Sequence, residues 1–254
     1  MILVLGGTLE GREIAGALAG EGHEVLVTVV SGYGAVMIPP DLAVEVLVKQ
    51  LDAEEITDII TCRGIRLIID ATHPYARKIT DTAWNTARLN DIPYIRYERP
   101  PVTAGKEDDM IYRAGSYEEA ADLATGLGKT VFLAIGSRNL GPFVSPGREA
   151  GSRIVARVLP DAQVMEQCAA AGINPKDIIA VQGPFSLEMN MAMFREYGAE
   201  VLVTKDSGTT GGTDAKLEAA ARMGIPVVIV TRPEYKGIPV TDRLEDILRM
   251  ARQI

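Results

Sequence analysis

Short runs of β-branched and aliphatic residues alternate, along almost the whole chain, with longer stretches that mix polar and apolar residues. Ile2 to Leu5 precedes Arg12 to Glu21, Val44 to Val48 precedes Ala53 to Arg63, and Leu67 to Asp70 precedes Ala76 to Asn90. A run of four or five apolar residues without polar alternation suits a strand covered on both faces, and the stretches between suit amphipathic helices. The pattern predicts βα units on parallel sheets, the α/β class. It is interrupted between Arg99 and Asp109, where Pro100, Pro101, Gly105 and a run of charges suit a connection. Beyond it the alternation resumes, with strands at Val131 to Ile135, Ile154 to Val158, Ile178 to Val181, Val201 to Thr204 and Val227 to Val230, and a closing helix from Asp242 to Arg252. The chain's 254 residues, 47% of them hydrophobic, are enough to fill two cores. The expected boundaries are 1–100 for an N-terminal domain and 101–254 for a C-terminal one, the second including the connecting segment 101–112.

The two halves resemble each other. A shift of 133 residues carries Asp81 onto Asp214, Ala87 onto Ala220, Ile92-Pro93 onto Ile225-Pro226 and Arg99-Pro100 onto Arg232-Pro233. Ile-Pro opens many buried strands, so chance is one explanation and a duplicated Rossmann-like unit the other. Duplication would place the loop around His73 on the loop around Asp206, each beyond the carboxyl end of a strand, where open α/β sheets bind ligands.

Composition narrows the partners. A net charge of -8 argues against nucleic acid, whose backbone needs cations, so an anionic ligand has to be met by local Arg and Lys. Cys62 and Cys168 stand far apart with no metal-ligand spacing and no disulfide framework. Met1 runs directly into Ile-Leu-Val-Leu without a basic leader, and no stretch of about 18 apolar residues occurs. The expectation is a soluble cytoplasmic protein without a protein-bound metal.

Four segments could carry chemistry. Gly6-Gly7-Thr8-Leu9-Glu10-Gly11-Arg12 joins the first strand to the first helix, where backbone N–H groups and the helix N-terminus favour phosphate. Thr8 stands where G-x-G-x-x-G has its second glycine, so a tight turn without a ligand is also compatible. The second strand ends in Val29-Val30-Ser31, without the acid that would accept the ribose hydroxyls of NADH and repel a 2′-phosphate. Ser31 and Arg12 could receive that phosphate, which points to NADPH. Asp70-Ala71-Thr72-His73-Pro74-Tyr75-Ala76-Arg77 holds one of the two histidines in a loop before a helix. Thr204-Lys205-Asp206-Ser207-Gly208-Thr209-Thr210-Gly211-Gly212 supplies a cation, an anion and a hydroxyl between glycines, and is also compatible with a solvated loop. Spacing excludes a short-chain dehydrogenase, since no tyrosine is followed four residues later by lysine, and no Gly-x-Ser-x-Gly elbow or complete Walker A loop occurs.

With Gly6-Gly7-Thr8-x-Glu10-Gly11-Arg12, the Asp70 to Ala76 segment, Ile92-Pro93-Tyr94-x-Arg96-x-Glu98-Arg99-Pro100, Thr204-Lys205-Asp206-Ser207-Gly208 and Ile225-Pro226-Val227 leading to Arg232-Pro233, the chain resembles the precorrin-6A and cobalt-precorrin-6A reductases of cobalamin biosynthesis. The resemblance runs over nearly the whole chain. It implies two Rossmann-like domains with parallel sheets flanking a cleft, NADPH as reductant, and a tetrapyrrole with several carboxylates as substrate. It also implies that hydride goes to one carbon of a ring double bond and a proton to its neighbour. Gly6, Gly7, Thr8 and Arg12 then look like cofactor contacts, with Ser31 beside them. His73, Lys205, Asp206 and Ser207 look like cleft residues, and Tyr75, Arg77, Arg138, Ser207 and Gly208 are the expected substrate contacts. Arg96, Arg99, Arg232 and Lys78 are expected with them at strand ends, as guanidinium forks and ammonium groups for carboxylates. Lys205 is the expected proton donor or electrostatic stabiliser, Asp206 its orienter, since a carboxylate beside an ammonium stays ionised, and His73 a substrate contact and second candidate acid. Two rival readings are a nucleotide-sugar transferase or epimerase on the same scaffold and a two-lobed binding protein without catalysis. A fluorescence change on adding NADPH would count against both.

Overall fold

The computed structural model describes residues 1–102, 109–208 and 211–254, so part of the expected connecting segment and Thr209 and Thr210 of the Asp206 loop lie outside the described residues. In chain order the elements are β1 (Ile2–Leu5), α1 (Leu9–Gly20), β2 (Val25–Val29), α2 (Gly32–Val36), β3 (Glu45–Val48), α3 (Ala53–Arg63), β4 (Leu67–Asp70), α4 (Arg77–Leu89) and β5 (Tyr94–Tyr97). They continue with β6 (Ile111–Ala114), α5 (Tyr117–Leu127), β7 (Thr130–Ala134), α6 (Gly141–Glu149), β8 (Arg153–Val158), α7 (Ala162–Ala170), β9 (Ile178–Ala180), α8 (Leu187–Tyr197), β10 (Val201–Lys205), α9 (Thr213–Met223) and β11 (Val227–Val230). The chain closes with β12 (Val240–Thr241) and α10 (Leu244–Ala251). No helix of the described residues is long and apolar enough to cross a membrane.

The chain forms two units, one of residues Met1–Pro100 with Pro233–Ile254 and one of Pro101–Arg232. The first holds a parallel sheet in the order β12-β5-β4-β1-β2-β3, the second a parallel sheet in the order β6-β11-β10-β7-β8-β9. β1 is buried throughout because its side chains alternate between two cores. Ile2 and Val4 join Ile14 and Leu18 of α1 and Ile247 and Ala251 of α10. Leu3 and Leu5 join Ile56 and Ile60 of α3 and Ala83 and Ala87 of α4. In the second unit Phe132, Leu202 and Val227 pack against Met193 and Phe194 of α8 and Ala219 and Ala220 of α9.

The two sheets follow one plan. β4 lies between β1 and β5, and β10 between β7 and β11, with β5 and β11 each opened by Ile-Pro, so the His73 and Asp206 loops leave equivalent strands, as the 133-residue shift predicts. The expected boundary at 101–254 differs from this arrangement, because the last 22 residues belong to the first unit. Val240 and Thr241 pair with Arg96 and Tyr97 of β5, and Leu244, Ile247, Leu248 and Ala251 give α10 one apolar stripe that packs on the α1 face. At the other end, β6 lies where only a connection was expected up to residue 112, and it pairs with β11. β6 follows β5 in the chain yet joins the second sheet, and β12 follows β11 yet joins the first.

Candidate active site

The turn after β1 is shaped by its residues. A Cβ on Gly6 would lie 2.9 Å from Val27 Cγ1 and 3.1 Å from the Thr28 carbonyl oxygen, so only glycine lets this turn lie against β2. Gly7 has φ +107°, and the space where its side chain would be is open. Thr8 caps α1: its hydroxyl accepts from the Gly11 N–H at 3.0 Å and donates to the Ala71 carbonyl at 2.8 Å. Where the dinucleotide fingerprint has its second glycine, a hydroxyl therefore ties the helix start to the loop after β4. Arg12 is half-buried in the first turns of α1, and among the described residues no carboxylate forms an ion pair with it. Ser31, exposed at the end of β2, accepts from the Gly34 N–H at 3.2 Å. Glu10, the acid of the first turn, is ion-paired with Arg99. A helix N-terminus, an open glycine turn and a guanidinium without a carboxylate partner form a donor set that fits a dinucleotide phosphate.

The His73 loop rests on a buried ionic network. Asp70 and Arg96 are register partners in β4 and β5, both fully buried, with Arg96 Nη1 2.8 Å from Asp70 Oδ2. The same carboxylate oxygen accepts from the Thr80 hydroxyl at 2.6 Å and the Tyr94 phenol at 2.7 Å, while Asp70 Oδ1 accepts from the Thr72 N–H and hydroxyl at 2.9 and 2.6 Å. Burial, with Asp70 beside it, pushes the Tyr94 phenol up, so it stays a neutral donor. Arg96 also donates to Glu98 at 3.1 Å and to the His73 carbonyl at 3.4 Å, and its guanidinium lies 4.4 Å from the centre of the Tyr235 ring. The Tyr235 hydroxyl donates to the Pro74 carbonyl at 3.0 Å. On this frame His73 is half-buried, its Nδ1 accepting from the Tyr75 N–H at 3.2 Å, and the two rings stand 5.7 Å apart. Arg77, at the start of α4, is exposed and paired with Asp81 at 3.3 Å.

In the second unit Asp206 is almost wholly buried and shapes its own loop. Its Oδ1 accepts from the Val102 and Gly208 N–H groups at 3.0 and 3.2 Å and lies 3.6 Å from Arg232 Nη2, and its carbonyl accepts from Arg232 Nε at 2.8 Å. The Ser207 N–H donates to the Thr213 hydroxyl at 3.1 Å, joining the loop to the start of α9. Lys205 ends β10, and burial, with the charge of Arg138 added, brings its ammonium down to about 8. Lys216, buried in the second turn of α9 with its ammonium 3.4 Å from the Gly211 carbonyl, is also brought down to about 8, by burial and then by Arg157 and Lys205. Arg157 of β8 is brought down to about 10 by burial. It donates to Asn190 Oδ1 at 2.8 Å, with the Phe185 ring centre 4.7 Å away. Among the described residues, neither Arg157 nor Lys216 has a carboxylate within ion-pair distance. Three desolvated cations thus share the carboxyl end of the second sheet.

At the site, too, the sequence reading is corrected. Arg96, Arg99 and Arg232, counted there as docking groups, hold carboxylates of the chain itself, because each stands in register or loop contact with an acid. Gly6, Gly7, Thr8, Arg12 and Ser31 share the carboxyl edge of the first sheet with His73 and Tyr75, while Arg138, Lys205, Asp206, Ser207 and Gly208 share that of the second. Lys216 and Arg157 were missed, although both carry a signal. Lys216 falls on the same helical stripe as Thr213, Ala219 and Ala220, and Arg157 alternates with Val155 on an inward face of a strand covered on both sides.

Comparison with known proteins agrees over the full length. The family described as precorrin-6x reductase CbiJ/CobK matches residues 1–252. A cobalt-precorrin-6A reductase of Priestia megaterium is 36% identical over 98% of this chain and 96% of its own. A precorrin-6A reductase of Rhodococcus erythropolis is 32% identical over 97% and 94%. The solved structure titled CobK precorrin-6A reductase superposes with a TM-score of 0.78 at 24% identity, over 99% of this chain and 96% of that one, a likeness of fold. With two parallel α/β sheets of the same plan, a glycine turn at the first helix and a family match that spans nearly every residue, the chain belongs to the precorrin-6x reductase family, oxidoreductases of cobalamin biosynthesis.

Proposed function

We propose that this chain reduces one ring double bond of precorrin-6A, or of its cobalt complex, with NADPH as the reductant. The observation that carries the substrate class is the group of buried cations Arg157, Lys205 and Lys216. Burying cations is costly, and among the described residues Arg157 and Lys216 have no carboxylate within ion-pair distance, so a substrate with several carboxylates would offset that cost. Gly6, Gly7, Thr8 and the first turn of α1 hold the cofactor's phosphates, and Arg12 with Ser31 receives the 2′-phosphate that separates NADPH from NADH. When bound, the dihydronicotinamide supplies the hydride. Lys205 supplies the matching proton: near pH 7 an ammonium brought down to about 8 is still mostly protonated, yet gives up its proton far more readily than an exposed lysine. Asp206 fixes the loop that follows Lys205, and His73 with Tyr75 contacts the substrate from a loop held by Asp70 and Arg96.

The test is anaerobic turnover of precorrin-6A and of cobalt-precorrin-6A, followed by absorbance, with NADPH and NADH in parallel. Reduction of either tetrapyrrole with NADPH preferred is the expected result. No turnover of either substrate, or equal use of both cofactors, would overturn the reading in its substrate or its cofactor part.

A further inference from the structure

Among the described residues, β3 closes one side of the first sheet and its outer backbone has no partner. The pairing with β2 fixes which groups face outwards. Lys49 N–H donates to the Val29 carbonyl at 2.8 Å, so in this parallel ladder residues 45, 47 and 49 turn their N–H and C=O groups to β2, and Val46 and Val48 turn theirs to the open side. The valine side chains are also exposed, 37% and 48%. Val46 joins Val36, Pro39, Pro40 and Val44 along an apolar groove of about 390 Å³. Other sheet edges are guarded: β12 and β9 are two and three residues long, and β6 puts the exposed Arg113 within the strand.

We propose that β3 pairs antiparallel with β3 of a second copy of this chain, about a twofold axis at Leu47, joining two six-stranded sheets into one. Three twofold centres match the outward-facing groups, at residues 46, 47 and 48. Only the centre at 47 lets both valines exchange hydrogen bonds, Val46 with Val48 of the partner and Val48 with Val46 of the partner. That same register sets Glu45 opposite Lys49 of the partner at both ends of the contact, in the close, non-hydrogen-bonded pairing. Within its own chain Glu45 meets Arg63 and Lys49 meets Glu55, both at the surface, and each charged group keeps lone pairs or protons for a second partner. The strand is therefore complementary to itself in backbone, apolar face and charge.

Sedimentation of the full chain over a concentration series tests this. A monomer–dimer equilibrium is expected. Lys49→Glu, which places like charges opposite one another twice, should raise its dissociation constant roughly tenfold or more. Combining Glu45→Lys with Lys49→Glu should bring the constant back to within about threefold of the starting value. Val46→Pro, which removes an N–H the fold does not use, should leave a monomer. If that variant does not fold, the charge reversals at exposed positions still decide. A chain that stays monomeric up to about 1 mM, or a dimer that Lys49→Glu leaves unchanged, overturns the proposal.

Discussion

Single residues set the electrostatics of the second unit, and two of them titrate near neutrality. Lys205 and Lys216 are both brought down to about 8, Lys205 by burial and Arg138, Lys216 by burial and then by Arg157 and Lys205. An ordinary lysine titrates near 10.5, so between about pH 8 and 10.5 the unfolded chain holds protons that the folded chain has released. Stability of the substrate-free protein should therefore rise with pH across that window, and it should fall as pH drops through about 8. Substrate binding should run the other way, because a polycarboxylate loses its two ammonium partners above about pH 8. KM for the tetrapyrrole should climb there while the NADPH dissociation constant stays flat, and a flat KM would remove these lysines from the site. Lys205→Ala should lose most of kcat while NADPH still binds, and His73→Ala should act mainly on KM. The reverse pattern would transfer the proton to His73. In the first unit Arg12→Ala removes a charge-assisted contact worth about 1.5–3 kcal/mol, so NADPH should weaken by roughly 10- to 100-fold with NADH little changed.

At the scale of elements, the strand ends and loops show what was legible and what was not. The strands could be read because burial on both faces leaves nearly unbroken apolar runs, and the glycine turn because Gly6 and Gly7 stand between a strand and a helix. α6 was not legible, since Pro146 lies inside it and its apolar residues are few. β12 is two residues long and takes its identity from β5 alone. The Asp70–Arg96 pair had a legible trace, a charge inside each of two apolar strands, but only the register shows that they are opposite one another. Removing one partner of a fully buried pair leaves an uncompensated charge, so Asp70→Asn should cost about 3–5 kcal/mol in denaturant unfolding. Tyr94→Phe deletes one neutral donor to the same carboxylate and should cost about 1–2 kcal/mol. Equal, small losses in both would mean that the network does not hold the loop.

For the whole molecule, the exchange of β6 and β12 leaves the first sheet incomplete within residues 1–100, whereas all six strands of the second lie within residues 101–232. Residues 1–100 carry five strands of the first sheet and lack the sixth, and the helix that covers Ile2, Val4, Ile14 and Leu18 lies at the far end of the chain. The 133-residue repeat could be read from the sequence because the shift aligns Ile-Pro and Arg-Pro pairs. The exchange could not, because the two-residue β12 has no periodicity and β6 stands beside a proline- and charge-rich stretch. A chain ending at Arg232 should therefore keep the second unit and damage the first. It loses the Tyr235 ring over Arg96, the hydrogen bond to the Pro74 carbonyl, and the stripe formed by Leu244, Ile247, Leu248 and Ala251. Burying each of the larger apolar side chains contributes about 1.5–3 kcal/mol, so their combined loss is comparable with the stability of a whole domain, about 5–15 kcal/mol. Calorimetry of the shortened chain should show one transition near that of the full-length protein and one shifted far down or lost, with NADPH binding lost alongside it. A shortened chain that melts like the full-length one and binds NADPH as tightly would show that residues 1–100 complete their own core.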